Sequence, residues 1–403
     1  MINAPETKLG DIAEFIRGIN FKPDDVVPLG TEGSVGCMRT KNVQDELDCI
    51  DVWGVPKKFV RRDEQLLKEG DILVSSANSW NLVGKCCWIP KLDWPASFGG
   101  FVSVLRANPL KVDPRFLYRW FASNPTQSLL RSFGQKTTNI SNLNIERCLN
   151  LKLVLPPLPE QRRIAAILDQ ADALRAKRRE ALAELDQISE STFLEMFGDP
   201  VSNPLNWTRA KLVELLSSGP QNGLYKPASD YGDGTPILRI DGFYDGIVTN
   251  LGSLKRVRIG DNELQTWRLF EGDIVINRVN SREYLGKSAL IPSLAEPTIF
   301  ESNMMRFSIK DDKALPQYII QFLQTAYIRG QIAAAAKDAV NQSSINQQDV
   351  KGFIVNLPPV ELQRKFKSRQ EFVNRIKVPY RKSLEAYNSL FSSLQHRAFR
   401  GEL

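Results

Sequence analysis

Hydrophobic and polar residues follow two different periodicities along the chain. Short runs of β-branched and apolar residues, bounded by glycine, proline and polar turns, predict β-strands, and residues 71–75 and 273–276 are the clearest of them. Shorter helical segments at 114–121 and 316–323 each begin with a proline, which is tolerated at the first helical position. The pattern therefore predicts globular segments of the α+β class.

Two much longer segments are predicted to be helices. Between Pro159 and Met196 the sequence has neither glycine nor proline, and apolar residues recur there every seven positions. About 38 residues rising ~1.5 Å each would form a rod of ~57 Å. Two rows with this spacing form the predicted seam: Ile164, Ala171, Arg178, Leu185 and Thr192 in one row, and Ile167, Leu174, Ala181 and Ile188 in the other.

A second and less regular seam lies near the end of the sequence. Pro379 interrupts it and removes one backbone donor, which predicts a kink or a break in that helix. Two seams in one chain most simply pack against each other as an antiparallel coiled-coil spacer, and pairing between two chains is the alternative. The members of the second seam are Phe366, Val373, Ile376, Tyr380, Tyr387, Leu390 and Leu394.

The chain also contains an internal duplication. Glu69-Gly70-Asp71-Ile72 recurs 202 residues later as Glu271-Gly272-Asp273-Ile274. The same offset relates Gly84-Lys85 to Gly286-Lys287, and Leu155-Pro156-Pro157 to Leu357-Pro358-Pro359, whereas residues 15–65 and 217–265 look little alike. The duplication predicts four parts: a first globular domain at 1–157, a long helix at 158–198, a second globular domain at 199–359 and a second long helix at 360–403.

The composition favours some classes of function and argues against others. The formal net charge of +7 favours a polyanionic partner. His396 is the only histidine, which leaves multi-histidine metal sites and histidine-based catalysis with one unpromising candidate. The five cysteines form no CxxC pair, so we expect reduced thiols and no metal site. With neither a secretory signal nor an apolar stretch long enough to span a membrane, we expect a cytoplasmic protein.

Several strings resemble one known family. Residues 155–164 (LPPLPEQRRI) open a long helix, Asn139-Ile140-Ser141-Asn142-Leu143 precede it, and Met196-Phe197-Gly198-Asp199-Pro200 end it. Together with the C-terminal Arg397–Leu403 (RAFRGEL), these strings resemble the specificity subunits of Type I restriction-modification enzymes, in the expected order along essentially all 403 residues.

The resemblance implies a function for each part. The globular domains would each read one half of a split sequence in double-stranded DNA, and the helices would fix the gap. Two modification subunits would dock on the helices and methylate adenine with S-adenosylmethionine, and restriction subunits would add translocation and cleavage with ATP and magnesium. This chain would bind no cofactor and carry no catalytic residue.

The residues that contact DNA are predicted from polar loops that follow strands. Asn and Arg make bidentate contacts to adenine and guanine, whereas Lys mostly neutralises phosphate. Lys85 and Lys287 are repeat-equivalent and suit phosphate, whereas Trp80 and Arg282 differ and suit base reading. Loops 135–139 and 341–344 are weaker candidates. The full set is Arg39, Lys41, Asn42, Asn78, Ser79, Trp80, Asn81, Lys85 and Lys136 in the first copy, and Arg239, Tyr244, Asn277, Arg278, Asn280, Ser281, Arg282 and Lys287 in the second.

Other interpretations remain open at this stage. Asn78-Ser79 and Asn280-Ser281 could simply form turns. The protein could also be a helical scaffold without sequence specificity, or a DNA-binding protein that works without restriction partners. A fused methyltransferase is disfavoured because no Asn-Pro-Pro-Tyr or Asp-Pro-Pro-Tyr string occurs, and a nuclease because Asp311-Asp312-Lys313 has no evident partner acid.

Overall fold

The computed structural model describes residues 5–136, 140–249, 251–339 and 342–403. The chain alternates short strands and helices, which confirms the predicted α+β class, and it ends each half with one long helix. Its elements in chain order are β1 Glu6–Lys8, β2 Ala13–Arg17, β3 Ser34–Met38, β4 Trp53–Pro56, β5 Ile72–Ser75, β6 Ala77–Asn78, β7 Cys86–Trp88, β8 Ala96–Phe98, β9 Val102–Ala107, α1 Pro114–Phe121, α2 Asn124–Ser132, β10 Gln135–Lys136, β11 Ser141–Asn142, α3 Ile145–Leu149, β12 Lys152–Val154, α4 Leu158–Phe197, β13 Thr208–Lys211, α5 Leu212–Leu215, β14 Leu216–Asn222, β15 Tyr231–Leu238, β16 Phe243–Tyr244, β17 Gly246–Val248, β18 Lys255–Val257, α6 Asp261–Trp267, β19 Ile274–Asn277, β20 Val279–Asn280, β21 Ser288–Leu290, β22 Ile299–Phe300, β23 Met304–Ile309, α7 Pro316–Leu323, α8 Ala326–Ala335, β24 Lys337–Asp338, β25 Ser343–Ser344, α9 Gln347–Gly352, β26 Ile354–Leu357 and α10 Val360–Ala398.

The two globular domains repeat the same sheet topology. The order β2-β9-β5-β7 in the first domain corresponds to β14-β23-β19-β21 in the second, where β17 and β16 extend the sheet. The order β4-β3-β8 corresponds to β18-β15-β22, and β10-β11-β6 corresponds to β24-β25-β20. The register repeats as well, because Ile72 pairs with Leu105 and Ile274 pairs with Phe307. The extra strands β16 and β17 fall inside the segment whose sequence diverged.

The repeated Glu-Gly-Asp-Ile string is a structural motif. Asp71 is buried, its carboxylate accepts from the backbone N–H of Lys68 at 2.8 Å, and it pairs with the Arg106 guanidinium at 2.7 Å. Asp273 is equally buried and accepts from the N–H of Phe270 at 2.9 Å. Buried carboxylates need such partners, because an unpaired charge in the interior is costly. The motif therefore closes the turn before β5 and before β19.

The chain forms two compact units. Unit 1 comprises residues 1–179 and 381–403, and unit 2 comprises residues 180–380. Each unit therefore contains part of α4 and part of α10. Unit 1 buries α1 and the start of α4 with Phe391 and Ala398 of α10, and unit 2 buries α7 and the end of α4 with Phe366.

The two long helices pack against each other in antiparallel orientation in both units, as predicted. In unit 1, the Arg175 guanidinium donates to Asn388 Oδ1 at 2.8 Å, and Arg163, earlier in α4, donates to the backbone oxygen of Leu403 at 2.9 Å. In unit 2, the rings of Phe193 and Phe366 lie 5.6 Å apart between centroids. Residue numbers rise along one helix as they fall along the other, and the pairing is made within one chain.

The predicted seam of α4 is only half correct. Ile164 and Ala171 are buried, but Leu174 and Ile188 are 43% and 48% exposed. The second row runs one residue later than predicted, through Leu168, Arg175, Leu182, Ser189 and Met196. The sequence favours the more apolar row, but Arg175 and Ser189 are accommodated in the seam because α10 supplies hydrogen-bonding partners.

The second helix shows the same one-residue displacement. Phe366 and Val373 are buried as predicted, Ile376 and Leu394 are half-buried, and Leu390 is 47% exposed. Lys377 and Phe391, one residue later than Ile376 and Leu390, occupy the seam instead. In α4, Ile167 and Leu185 are half-buried.

Pro379 does not break its helix. Residues 360–398 form a single α-helix with the proline inside it, so the predicted break is wrong, and a kink stays a prediction. A proline lacks one backbone donor, but the helix on either side is held by packing of its seam residues. Among the described residues, no helix combines the length and the apolar composition that a bilayer crossing requires.

Candidate nucleic-acid interface

The loops that follow β5 and β19 share one backbone framework. In the first domain, Ser75 N–H donates to Lys85 O at 2.8 Å, and Gly84 N–H donates to Ser75 O at 2.9 Å. In the second domain the corresponding bonds link Asn277 to Lys287 at 2.8 Å and Gly286 to Asn277 at 3.0 Å. Main-chain bonds close the base of each loop, whereas several of its side chains differ between the domains, such as Trp80 and Arg282.

The paired Asn-Ser strings lie where a short strand ends and a turn begins. Asn78 ends β6 and Asn280 ends β20, and the backbone oxygens of Ser79 and Ser281 accept bonds from Leu82 and Tyr284. The Oδ1 atom of Asn78 accepts from the N–H of Ser79 at 2.8 Å, and that of Asn280 accepts from the N–H of Ser281 at the same distance. The Ser79 hydroxyl then donates to Asn81 Oδ1 at 2.7 Å. These local bonds arrange the start of each loop, and contact of these residues with DNA stays a prediction. Ser79, Asn81 and Ser281 remain exposed beside them.

The candidates at 39–42 organise their own loop. Asn42 is completely buried and donates to Asp48 O at 2.8 Å, while its Oδ1 accepts from the N–H of Arg39. The Arg39 guanidinium stacks 3.6 Å from the Trp53 ring centroid and pairs with Asp51, as does the more exposed Lys41. Hydrogen bonds from Lys41 and Arg39 hold the pKa of the Asp51 carboxyl below its usual range, and the bond from Lys41 has the larger effect. We leave Asn42 out of the proposed DNA contacts, because a buried amide cannot reach a base edge.

Arg239 occupies the equivalent place in the second domain. Strand β3 runs parallel to β8 up to the Met38–Phe98 pair, and β15 runs parallel to β22 up to the Leu238–Phe300 pair. Arg39 and Arg239 therefore follow the same strand end. The buried Nε of Arg239 lies 3.3 Å from Glu301 Oε2 in an ion pair, without the geometry of a hydrogen bond.

Lys287 is held inside the second domain. Its Nζ donates to Ile240 O at 2.7 Å and lies 3.8 Å from the Tyr244 ring centroid. Burial lowers the pKa of this amine, opposed by the nearby Asp241 and Asp245. Lys85 differs, because its Nζ donates to Gln44 Oε1 at 2.7 Å at an exposed position. Sequence equivalence therefore does not give these two lysines equivalent surroundings.

The remaining candidates of the second domain are divided between interior and surface. Asn277 is fully buried, so we leave it out of the proposed contacts as well. Arg278 is half-buried and donates to Ser302 O at 3.1 Å. Arg282 forms an exposed ion pair with Asp338, and Tyr244 is 45% exposed. The surface-accessible set is therefore smaller than the sequence indicated.

The first domain exposes an aromatic side chain at the same loop. Trp80 is 49% exposed at the position equivalent to Arg282. Lys136 lies in β10, but its side chain falls outside the described residues, as do Thr137, Thr138 and Asn139 of the predicted loop. Asn341 of the second loop also lies outside them.

Sequence reasoning missed the way each domain is fixed to its long helix. Gln161 is buried, its Oε1 accepts from the N–H of Asp113 at 2.7 Å, and its Nε2 donates to Pro156 O at 2.8 Å. Gln363 repeats this arrangement with Leu315 and Pro358, each at 2.8 Å. The signal was present, since both glutamines recur at the 202-residue offset.

Burial affects the thiols of several cysteines in the first domain. Burial raises the pKa of the Cys37, Cys87 and Cys148 thiols to about 12, which keeps them protonated. In the part of the chain that the structure describes, no three His, Cys, Asp or Glu side chains come together as a metal site.

Comparisons with known proteins agree with this architecture. Residues 4–186 and 204–376 match the family described as Type I restriction modification DNA specificity domain. The chain is 27% identical to the Type I restriction enzyme EcoKI specificity subunit of Escherichia coli (strain K12) over 97% of this chain and 87% of that protein. It is 24% identical to the StySPI specificity subunit of Salmonella potsdam over the same shares.

A solved structure supports the fold. The S subunit of a Type-I restriction-modification system from M. genitalium aligns with a TM-score of 0.55 at 15% identity, covering 99% of this chain and 96% of that one. The likeness concerns the fold alone.

Proposed function

Since the chain belongs to the Type I restriction-modification DNA specificity family, we propose that it reads a bipartite sequence in double-stranded DNA, one half-site with each globular domain. The family resemblance inferred from the sequence is confirmed, and the protein is a DNA-target recognition subunit. One observation carries this two-reader model, in which each domain reads its own half-site. Both domains build the same backbone framework and present different side chains on it.

The paired helices α4 and α10 serve as the spacer in this proposal. Hydrogen bonds join the two helices within each unit, from Arg175 to Asn388 and from Lys377 to Asp186, and they support this role for the pair. Its length limits the unread gap loosely, because ~57 Å corresponds to ~17 base pairs at ~3.4 Å each. Exposed apolar residues on the outer faces, including Leu174, Ile188 and Leu390, are available for partner subunits.

The partner subunits would carry out the catalytic reactions. Two modification subunits would methylate adenine with S-adenosylmethionine, and restriction subunits would use ATP and magnesium for translocation and cleavage. The protein itself would carry no catalytic residue and no cofactor. A cytoplasmic location, where such a complex meets chromosomal DNA, is part of the same proposal.

A domain exchange tests the two-reader model. Residues 1–157 are replaced by the corresponding domain of another specificity subunit, and methylated adenines are mapped by single-molecule sequencing in cells that supply the modification subunits. We expect one half of the methylated sequence to change and the other to persist. A change in both halves would contradict the model, and methylation without sequence preference in the wild type would favour a scaffold.

A further inference from the structure

In each domain, a turn that was not predicted from the sequence lies next to the loop that follows β5 or β19. In the first domain, the backbone oxygen of Phe101 accepts from the N–H groups of Ser76 at 3.0 Å and Ala77 at 3.1 Å. In the second, the oxygen of Asn303 accepts from those of Arg278 at 2.8 Å and Val279 at 3.3 Å. All of these pairs keep the 202-residue offset, so Phe101 and Asn303 are structurally equivalent.

The same turn is supported from its other side by a glycine segment. Ile19 N–H donates to Phe98 O at 2.8 Å, and Leu224 N–H donates to Phe300 O at 2.9 Å. A Cβ on Gly18 would lie 2.3 Å from Gly99 O, and one on Gly223 would lie 2.2 Å from Glu301 O. Such distances exclude any side chain, so both domains retain a glycine for this close approach.

The side chain at the held position differs between the domains. Phe101 is 65% exposed, although an aromatic ring gains by burial, and Asn303 is half-buried. Two sets of main-chain contacts fix the backbone at Phe101 and at Asn303. Less conformational entropy is then lost when either side chain contacts a ligand. A shared position with divergent side chains is what base reading requires, whereas phosphate contacts are the same for every sequence.

We propose that Phe101 and Asn303 are equivalent base-reading residues of the two domains. Phe101 makes an apolar contact with a thymine methyl group, and Asn303 makes hydrogen bonds with the major-groove edge of an adenine. This inference rests on the proposed function, because it names the contacts within the same DNA-reading surface. It predicts that the two half-sites are read by different chemistry from one framework.

The test uses the full chain with its modification subunits and unmethylated genomic DNA of the host as the probe. Phe101→Ala and Asn303→Ala are compared with the wild type by mapping methylated adenines. We expect each variant to lose the preference at one or two positions of a single half-site, by about 5- to 150-fold for the Asn303 contact. Phe101→Asn should replace the preference rather than only remove it.

Two controls separate a local effect from a general one. Leu110 is 85% exposed in the turn at the other end of β9, and Asp312 is exposed beyond the other end of β23. Leu110→Ala and Asp312→Ala should leave the methylated sequence unchanged. If Phe101→Ala, Phe101→Asn and Asn303→Ala all behave like these controls, the inference fails and the proposed function stands. If the wild type methylates no defined sequence, the proposed function itself fails.

Discussion

The Lys377 ammonium is buried in the helical seam and donates to Asp186 Oδ1 of the facing helix at 2.7 Å. Its side chain is 4% exposed, whereas that of Asp186 is 56% exposed. The Ser189 hydroxyl oxygen accepts a second bond from the same ammonium at 3.2 Å. The pair is therefore asymmetric, since one charge depends on its partner and the other can be hydrated.

This asymmetry predicts unequal effects of two substitutions. Asp186→Ala leaves a buried ammonium with the Ser189 hydroxyl and should lower the free energy of unfolding by about 2–3 kcal/mol. Lys377→Met places an apolar side chain in the seam and lets Asp186 return to water, so it should cost about 0–1 kcal/mol. Denaturant unfolding monitored by circular dichroism measures both. An equal or reversed order would show that the ion pair does not behave as the geometry requires.

The buried glutamines should contribute substantially to the free energy of unfolding, although their side chains carry no charge. Gln363→Ala removes the acceptor for Leu315 N–H and the donor to Pro358 O, leaving one part-buried and one buried backbone group without these partners. We expect a loss of about 2–4 kcal/mol in the free energy of unfolding. Gln187→Ala, at an exposed position of α4, is the matched control and should change it by less than about 0.5 kcal/mol. Similar values for the two would contradict the assigned role.

The two repeat-equivalent lysines should differ in their response to salt. Lys85→Ala should reduce the slope of log affinity for DNA against log salt by about 1, as expected for a phosphate contact. Lys287→Ala should leave that slope unchanged, because its ammonium is held by Ile240 O and the Tyr244 ring. Binding of fluorescent duplex DNA to the complex with modification subunits, measured over a salt series, distinguishes them. A reduced slope for Lys287→Ala would place this lysine on phosphate instead.

Thiol chemistry should report the burial of the cysteines. Cys49 is exposed, and the other four cysteines are buried. Burial, aided by the charge of Asp48, raises the pKa of Cys49, so its reaction with iodoacetamide should be slow at neutral pH and accelerate as the pH rises. Mass spectrometry of the native protein should find modification at Cys49 alone, and at all five cysteines after denaturation. Early modification of Cys86 or Cys148 would indicate that the domain core opens.

The sequence was sufficient for the architecture because the duplication and the long helices leave strong periodic signals. It was insufficient for the seam, because the row through Ile167 and Leu174 is more apolar than the correct row through Leu168 and Arg175. Only the facing helix reveals that a polar residue such as Arg175 has a partner there. Tertiary packing therefore decides which row faces α10, and the sequence of α4 alone does not.

The sequence places the candidate residues in loops after strands, and their contact with DNA stays a prediction. Polar residues after strands do lie at the repeated loops, but residue type alone could not separate the buried Asn42 and Asn277 from exposed neighbours. Phe101 was missed because its position depends on main-chain bonds to Ser76 and Ala77, which leave no trace in residue chemistry.

The turns at Phe101 and Asn303 are held by backbone atoms and by glycines that lie on another segment. Folding therefore places little demand on the side chain at either position. If the proposed base-reading role holds, a single codon change there would alter the preferred DNA sequence at little cost in stability, and each half of the gene would do so independently.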